Sequence, residues 1–249
     1  PFDELIYVVG SEQRYHFTVL FHILRLLGAP FADNLYHLSY GMVNLPEGKM
    51  KSREGTVVDA DDLIDRLRDM ATHEIYEKKR EEIVGDLHTT AERIAIGALH
   101  YYLLQVGPNK DMIFNPEESL SFQGNTGPYL QYMGARISSM LRRLSEEELH
   151  DPADVDVSVL DTPEEWELIR LIGEFPERVS QASENLNPAV ITSYLYELSK
   201  TFSRYYHDHP IVISDNKELR NARVVLTRAL LQVLRNAFDL VGIPFLDSM

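Results

Sequence analysis

The spacing of apolar residues changes once along the chain, and this change limits the possible folds. Residues 5–9 form a short continuous apolar run that Gly10 closes, typical of a strand covered on both faces in a parallel sheet. Apolar residues at helical spacing follow over residues 17–27, and residues 35–43 indicate a second strand. This order predicts one crossover unit of an open α/β sheet. From about residue 60 onward the spacing is helical.

We therefore predict two domains in the 249 residues. Residues 1–75 should form an α/β remnant of a Rossmann-like fold, and residues 76–249 an all-helical bundle, so that helix dominates overall. Start signals mark the later helices. Among them are a capping box from Thr162 to Glu165 and Asp215 followed by Glu218.

The charge balance restricts the partners of the chain. With 24 basic and 39 acidic residues the net charge is −15, which argues against a general nucleic-acid coat protein. Residues 200–249 differ, because seven basic and five acidic groups give a balance of +2. An acidic protein with one basic end can still bind a polyanion at a single face.

Cysteine is absent, which excludes a disulfide framework, a thiolate zinc site and a thiol nucleophile. A reducing compartment such as the cytoplasm fits this composition. No run approaches the roughly 18 apolar residues of a membrane helix, so we expect no membrane association. Because the first residues already resemble a buried strand, we expect the chain to be part of a longer polypeptide.

A basic loop, residues 46–56, directly follows the second predicted strand. It contains Lys49, Lys51, Ser52 and Arg53 between two glycines. Cations and a hydroxyl on a flexible backbone could close over phosphate groups. An exposed basic turn of no special function has the same composition, so both interpretations stay open.

The predicted helix that begins near Pro128 has two neighbouring stripes. The apolar stripe contains Leu130, Met133, Ile137, Met140 and Leu144, and the second contains Tyr129, Tyr132, Arg136 and Arg143. Tyrosines beside arginines suit unpaired RNA bases, which stack on aromatic rings while cations contact phosphates. The alternative is that these tyrosines complete the core, with their hydroxyl groups at its rim.

Other polar clusters are weaker candidates. His207 and His209 flank Asp208, but positions two apart do not share a helix face, so we predict no protein-bound metal. The carboxylates of Asp59, Asp61 and Asp62 could serve acid–base chemistry. Acidic residues at a helix N-terminus explain them more simply.

Four segments resemble one protein family. The loop KMKSREGTVV is similar to the KMSKS signature loop of class I aminoacyl-tRNA synthetases, in the form found in arginyl-tRNA synthetases. The segments LIYVVGSEQRYHF and SFQGNTGPYLQYMGAR also resemble that family, and LRNARVVLTRALLQVLRNAFDLVGIPF is similar to its helical anticodon-binding domain. The resemblance implies the end of a class I catalytic domain followed by an anticodon-binding bundle. The loop departs from KMSKS because Lys51 stands where serine is common and Ser52 where the second lysine stands.

The resemblance also implies site residues. Lys49, Lys51, Ser52 and Arg53 would close on the ATP phosphates while the carboxylate of arginine attacks the α-phosphorus. The residues that match the family's nucleoside-facing segment are Gly10, Glu12, Gln13 and His16, and the backbone positions beside adenine are Met42 and Val43. The positions that match anticodon-loop contacts are Tyr129, Tyr132, Arg136, Tyr205 and Met249.

The resemblance predicts that the chain is the carboxyl-terminal portion of a cytoplasmic, monomeric arginine–tRNA ligase. The intact enzyme would use ATP with Mg²⁺ to form arginyl-adenylate and then charge its tRNA. No His-x-Gly-His motif occurs in the sequence, so the chain alone should be inactive. Two alternatives stay open: an RNA-binding module without catalysis, and a helical scaffold that binds no RNA.

Overall fold

The computed structural model of the protein describes residues 2–46, 59–80, 82–145 and 150–249. Its first unit consists of strand β1 (Leu5–Gly10), helix α1 (Arg14–Leu26) and strand β2 (Leu35–Tyr40). The strands are parallel, with Gly10 opposite Tyr40. The predicted crossover unit, hereafter the α/β unit, is therefore confirmed, and both carboxyl ends lie at one edge of the sheet.

In the described residues one face of β1 is covered. Phe17 and Phe21 of α1 pack together with Tyr7 and Val9 on one face of the strand. Val8, which points to the opposite face, is 62% exposed. Among the described residues α1 is the helix that packs on the sheet, and no described element of this chain covers the second face.

The second strand is shorter than predicted because the chain changes partner at Gly41. The Gly41 amide donates to the Pro108 carbonyl over 2.7 Å, and a Cβ atom at Gly41 would lie 2.1 Å from the Lys110 carbonyl oxygen. Only glycine permits this approach. The chain then forms β3 (Val43–Asn44), which pairs in parallel with β4 (Met112–Ile113).

Helices make up the remainder of the described fold. They are α2 (Ala60–Glu77), α3 (Leu87–Leu104), α4 (Pro116–Ser119), α5 (Gly127–Leu141), α6 (Pro163–Glu184), α7 (Ala189–Asp208) and α8 (Lys217–Leu240). Leu67 and Ala71 of α2 pack with Ile94 of α3 in one core, the α2–α3 core. Helices α5 to α8 enclose a larger core, the bundle core. None of the described helices is long and apolar enough to span a membrane.

Helix caps follow the predicted chemistry with one shift. Thr162 and Glu165 form the expected capping box at the start of α6. At α8 the cap is Asn216 rather than Asp215, since the Asn216 side chain accepts the amides of Glu218 and Leu219. Asp59 caps α2 by accepting the amide of Asp61, which supports a structural role for this acidic group.

A buried ion pair joins three helices of the bundle. The carboxylate of Glu165 accepts a hydrogen bond from Arg223 Nε over 2.7 Å and one from the Tyr205 hydroxyl over 3.2 Å. Burial favours the neutral carboxyl, but the hydrogen bonds from Thr162 and Arg223 outweigh it, and the pKa of Glu165 is lowered. The charged form of Glu165 therefore stabilises the bundle.

Candidate nucleic-acid interface

The packing of α5 leaves a polar and aromatic edge on this helix. Leu130, Met133 and Ile137 are buried, as their spacing predicts. Tyr129 and Tyr132 are half-buried, with ring surface both in the core and at the surface. Each ring packs on the core and still presents an edge to solvent, so RNA stacking by these tyrosines stays a prediction.

Aromatic rings and cations alternate between α5 and α7. The ring centroids of Tyr129 and Tyr196 are 6.1 Å apart, and the Lys200 ammonium lies 5.8 Å from the Tyr196 centroid. The Arg136 guanidinium lies 4.2 Å from the centroid of Tyr206. We call these five residues the α5–α7 strip. Rings for stacking next to cations for phosphates are what single-stranded RNA requires.

The electrostatics of the strip favour neutral tyrosines. Partial burial raises the pKa of Tyr129, and this effect outweighs the hydrogen bond with Ser203 and the charge of Arg136. The phenol therefore keeps its proton at neutral pH. A neutral ring next to fixed cations attracts phosphate without a competing negative charge.

Tyr132 lines a cavity of about 910 Å³ together with Met249. Lys78, which directly follows α2, has its ammonium 4.6 Å from the ring centroid of Phe122, and Arg80 also lines the cavity. We call this space the Met249 cavity. Its lining combines apolar surface with these two cations and with the carboxylates of Asp69, Glu74 and Glu117, and the Lys78 ammonium lies 3.4 Å from the Glu74 carboxylate. A planar base therefore fits its chemistry better than a phosphate does.

Tyr205 does not fit the predicted anticodon contact. Its side chain is 0% exposed and packs in the bundle core, with its hydroxyl bound to Glu165. A ring without accessible surface cannot stack on a base, so we assign Tyr205 to the core. Its neighbour Tyr206 lies in the α5–α7 strip instead.

The α7 side of the strip was missed from the sequence. Tyr196, Lys200 and Ser203 recur at positions i, i+4 and i+7 of α7, which places them on one helix face. That spacing was a usable signal. What the sequence could not show is that this face of α7 lies beside Tyr129 and Arg136 of α5.

The predicted ATP-facing residues gather at the carboxyl edge of the α/β unit. Gly10 ends β1, and Glu12, Gln13 and His16 follow it as exposed side chains. Ligands of open α/β sheets bind at this edge. The predicted loop residues Lys49, Lys51, Ser52 and Arg53 lie outside the residues that the structure describes.

Met42 and Val43 adjoin the same edge. The Met42 amide donates to Asp111 Oδ1 over 2.7 Å, and the Met42 carbonyl accepts the amide of Met112 over 2.9 Å. This pairing occupies the Met42 amide within the chain. An adenine contact from this position would therefore use the neighbouring Val43 backbone or the free lone pair of the Met42 carbonyl.

The two histidines at the end of α7, which were a weak metal candidate, contact different residues. His207 Nδ1 lies 2.7 Å from Asp208 Oδ1, whereas the His209 ring stacks on Tyr205 with centroids 4.9 Å apart. Within residues 2–46, 59–80, 82–145 and 150–249, no three possible ligands lie close enough to hold a metal ion.

Comparison with known proteins agrees with an α/β unit followed by a helical bundle. Residues 1–115 match the family described as tRNA synthetases class I (R), catalytic domain, and residues 130–249 match the DALR anticodon binding domain. Part of a class I tRNA synthetase catalytic domain is thus joined to an anticodon-binding bundle.

Individual relatives narrow the class I tRNA synthetases to one family. Arginine–tRNA ligases of Treponema denticola and Borrelia hermsii are 58% and 50% identical over the whole chain, which covers 43% and 42% of their lengths. The arginyl-tRNA synthetase of Thermus thermophilus superimposes with a TM-score of 0.87 at 30% identity, over 99% of this chain and 41% of that one. The chain belongs to the arginyl-tRNA synthetase family and spans less than half the length of these relatives.

The predicted domain boundary between residues 75 and 76 falls within α2. The two matched family regions leave residues 116–129 between them. The division into 1–75 and 76–249 therefore stays a prediction.

Proposed function

We propose that the chain supplies the anticodon-binding surface and the phosphate-closing loop of an arginine–tRNA ligase. In the complete reaction an oxygen of the arginine carboxylate bonds to the α-phosphorus of ATP, and pyrophosphate leaves. A ribose hydroxyl of the tRNA then attacks the carbonyl carbon of arginyl-adenylate, and AMP leaves. The partners of the intact enzyme are ATP, arginine and an arginine-accepting tRNA, and we propose that it acts in the cytoplasm as a monomer.

The α5–α7 strip is the observation that carries the RNA-binding part of the proposal. Three tyrosine rings within reach of Lys200 and Arg136 offer stacking surface and phosphate contacts in a chain of net charge −15. The attraction for RNA is therefore local, and the acidic remainder repels it. The Met249 cavity offers a second contact, for a base turned out of the loop.

On the ATP side, the chain would contribute groups at the carboxyl edge of the α/β unit. Gly10 allows close approach of the backbone, and Glu12, Gln13 and His16 are exposed for polar contacts to the nucleoside. Lys49, Lys51, Ser52 and Arg53 would bind the phosphates as charge develops in the transition state. Mg²⁺ would arrive with ATP as part of the substrate, because phosphate oxygens supply ligands that magnesium prefers.

We expect the chain alone to bind RNA without activating arginine. Its sequence contains no His-x-Gly-His motif, and class I catalysis in this family needs that motif as well as the KMSKS-like loop. Absence of ATP–pyrophosphate exchange together with RNA binding would fit the proposal. Exchange at the rate of a complete synthetase would contradict it.

A titration with an anticodon stem-loop RNA tests the RNA site. We expect Arg136→Ala to weaken binding about tenfold, because both a phosphate contact and a cation over Tyr206 are lost. Arg142→Ala is the matched control, since it removes the same charge from the end of the same helix, outside the strip. Equal losses in the two variants would mean that RNA senses only net charge, and the proposed site would be wrong.

A further inference from the structure

Residues 242–249, which we call the strap, cross from one core of the molecule to the other. Ile243 is buried in the bundle core, and Leu246 is buried in the α2–α3 core. Met249, three residues further on, lines the cavity beside Tyr132. The path of the strap therefore determines where the Met249 side chain lies.

Gln131 is a polar side chain placed wholly inside this junction. It is 0% exposed, and its Nε2 donates to the Pro244 carbonyl of the strap and to the Arg93 carbonyl of α3, each over 2.9 Å. Since both partners are carbonyl oxygens, the amide nitrogen must face them. One side chain of α5 thus ties α3 and the strap together.

Two other contacts hold the first half of the strap. His100 Nδ1 donates to the Gly242 carbonyl over 2.7 Å. On the outer side, the Arg235 guanidinium lies 3.9 Å from the ring centroid of Phe245. Between these contacts, Gln131 supplies the hydrogen bond to the Pro244 carbonyl. Without it, that carbonyl loses a partner and the strap can shift to find another.

We propose that Gln131 is a positioning residue for RNA binding. By holding Pro244, it sets the position of Met249 in the cavity next to Tyr132, and so sets the affinity for a base bound there. Gln131 itself has no accessible surface, so it acts only through the strap. This inference rests on the proposed RNA-binding function.

The first test needs no RNA. We compare Gln131→Leu with Gln232→Leu, a control that removes an exposed amide bound to Asn236. The readout is the ¹³C methyl spectrum of methionine. We expect the Met249 methyl resonance to move toward its random-coil position only in Gln131→Leu, while those of Met133 and Met140 show that the bundle is folded. An unmoved Met249 resonance would overturn the positioning role.

The second test is a double-mutant cycle with Met249→Ala, measured as affinity for an anticodon stem-loop RNA. Gln131→Leu should weaken binding about tenfold when Met249 is present and less than about twofold when it is absent. A purely structural effect of Gln131→Leu would weaken RNA binding equally with and without the Met249 side chain, and that result would overturn the proposal. If the wild-type chain binds no RNA at all, that result would instead overturn the proposed function.

Gly134→Ala provides a variant that displaces the strap from another side. A Cβ atom at Gly134 would lie 2.7 Å from the Phe245 ring, so the ring must shift, and the strap that carries it is pushed from this side. Alanine favours helix, so α5 itself is retained. We expect the same Met249 shift and the same loss of affinity as in Gln131→Leu. A normal Met249 resonance in a variant whose Phe245 backbone amide resonance has moved would show that the strap does not set the position of Met249.

Discussion

The helical bundle and the α/β unit differ in how completely each one buries its apolar residues. In the bundle, Leu195, Leu230 and Phe238 are all fully buried. In the α/β unit, Val8 is 62% exposed and Leu26 is 74% exposed. The bundle thus encloses its own core, whereas the α/β unit has one helix on one face of two strands. Two-stranded sheets with one covered face gain little stability by themselves.

This difference matters for function because each region carries a different site. The α5–α7 strip and the Met249 cavity lie on helices whose opposite faces are packed, which fixes the side chains before RNA binds. The ATP-facing residues lie at the edge of the less buried unit. We therefore expect the RNA surface of this chain to be preorganised to a greater degree than its nucleotide surface.

Truncation in the bundle core should have the largest effect on stability. We expect Phe238→Ala to lower the free energy of unfolding by about 3–5 kcal/mol, since the lost ring leaves a cavity in the bundle core next to Phe245. Denaturant unfolding followed by circular dichroism measures this loss. A loss below about 1 kcal/mol would mean that the bundle is not the more stable region.

Acid should weaken the bundle through Glu165. The pKa of this carboxyl is lowered in the fold, so its stabilisation is present above the unfolded pKa and is lost as the pH falls through the folded value. Thermal unfolding of the wild-type chain should show this decline below about pH 4.5, because 4.5 is the pKa of a free glutamate side chain. Glu165→Gln should flatten this part of the profile while lowering stability at neutral pH. An unchanged slope in the variant would assign the acid sensitivity to other carboxylates.

The smallest effect is expected on the open face of the α/β unit. Val8→Thr keeps a β-branched side chain on the strand and should change the free energy of unfolding by less than about 0.5 kcal/mol. Val9→Thr is the matched comparison, because Val9 points toward α1 and packs on its core. Equal effects of the two substitutions would show that the two faces of β1 are not distinct.

Local signals predicted much of this fold because short-range physics produces them. The crossover unit followed from one apolar run and the helical spacing after it, and the Thr162–Glu165 capping box followed from four residues. The shift of the α8 cap from Asp215 to Asn216 shows the limit of such signals, because adjacent residues of similar chemistry compete for one position.

The candidate site was only partly predictable for the same reason. Tyr129 and Arg136 share a stripe that the sequence displays, but their α7 partners Tyr196, Lys200 and Tyr206 are more than fifty residues away. Tyr205 and Tyr206 are both tyrosines in one helix, and only packing decides that the first binds Glu165 in the core while the second faces Arg136.

The sequence by itself determined the order of strands and helices, the apolar stripe of α5 and the family to which the chain is similar. Each of these depends on spacing of a few residues or on whole motifs. The tertiary structure decided that α1 packs on the face of β1 that carries Tyr7 and Val9, that Tyr132 and Met249 share a cavity, and that Gln131 ties the strap to α3. Gln131 and Pro244 are more than a hundred positions apart, as are Tyr132 and Met249, and the geometry of these contacts is set by how the helices pack rather than by any local preference.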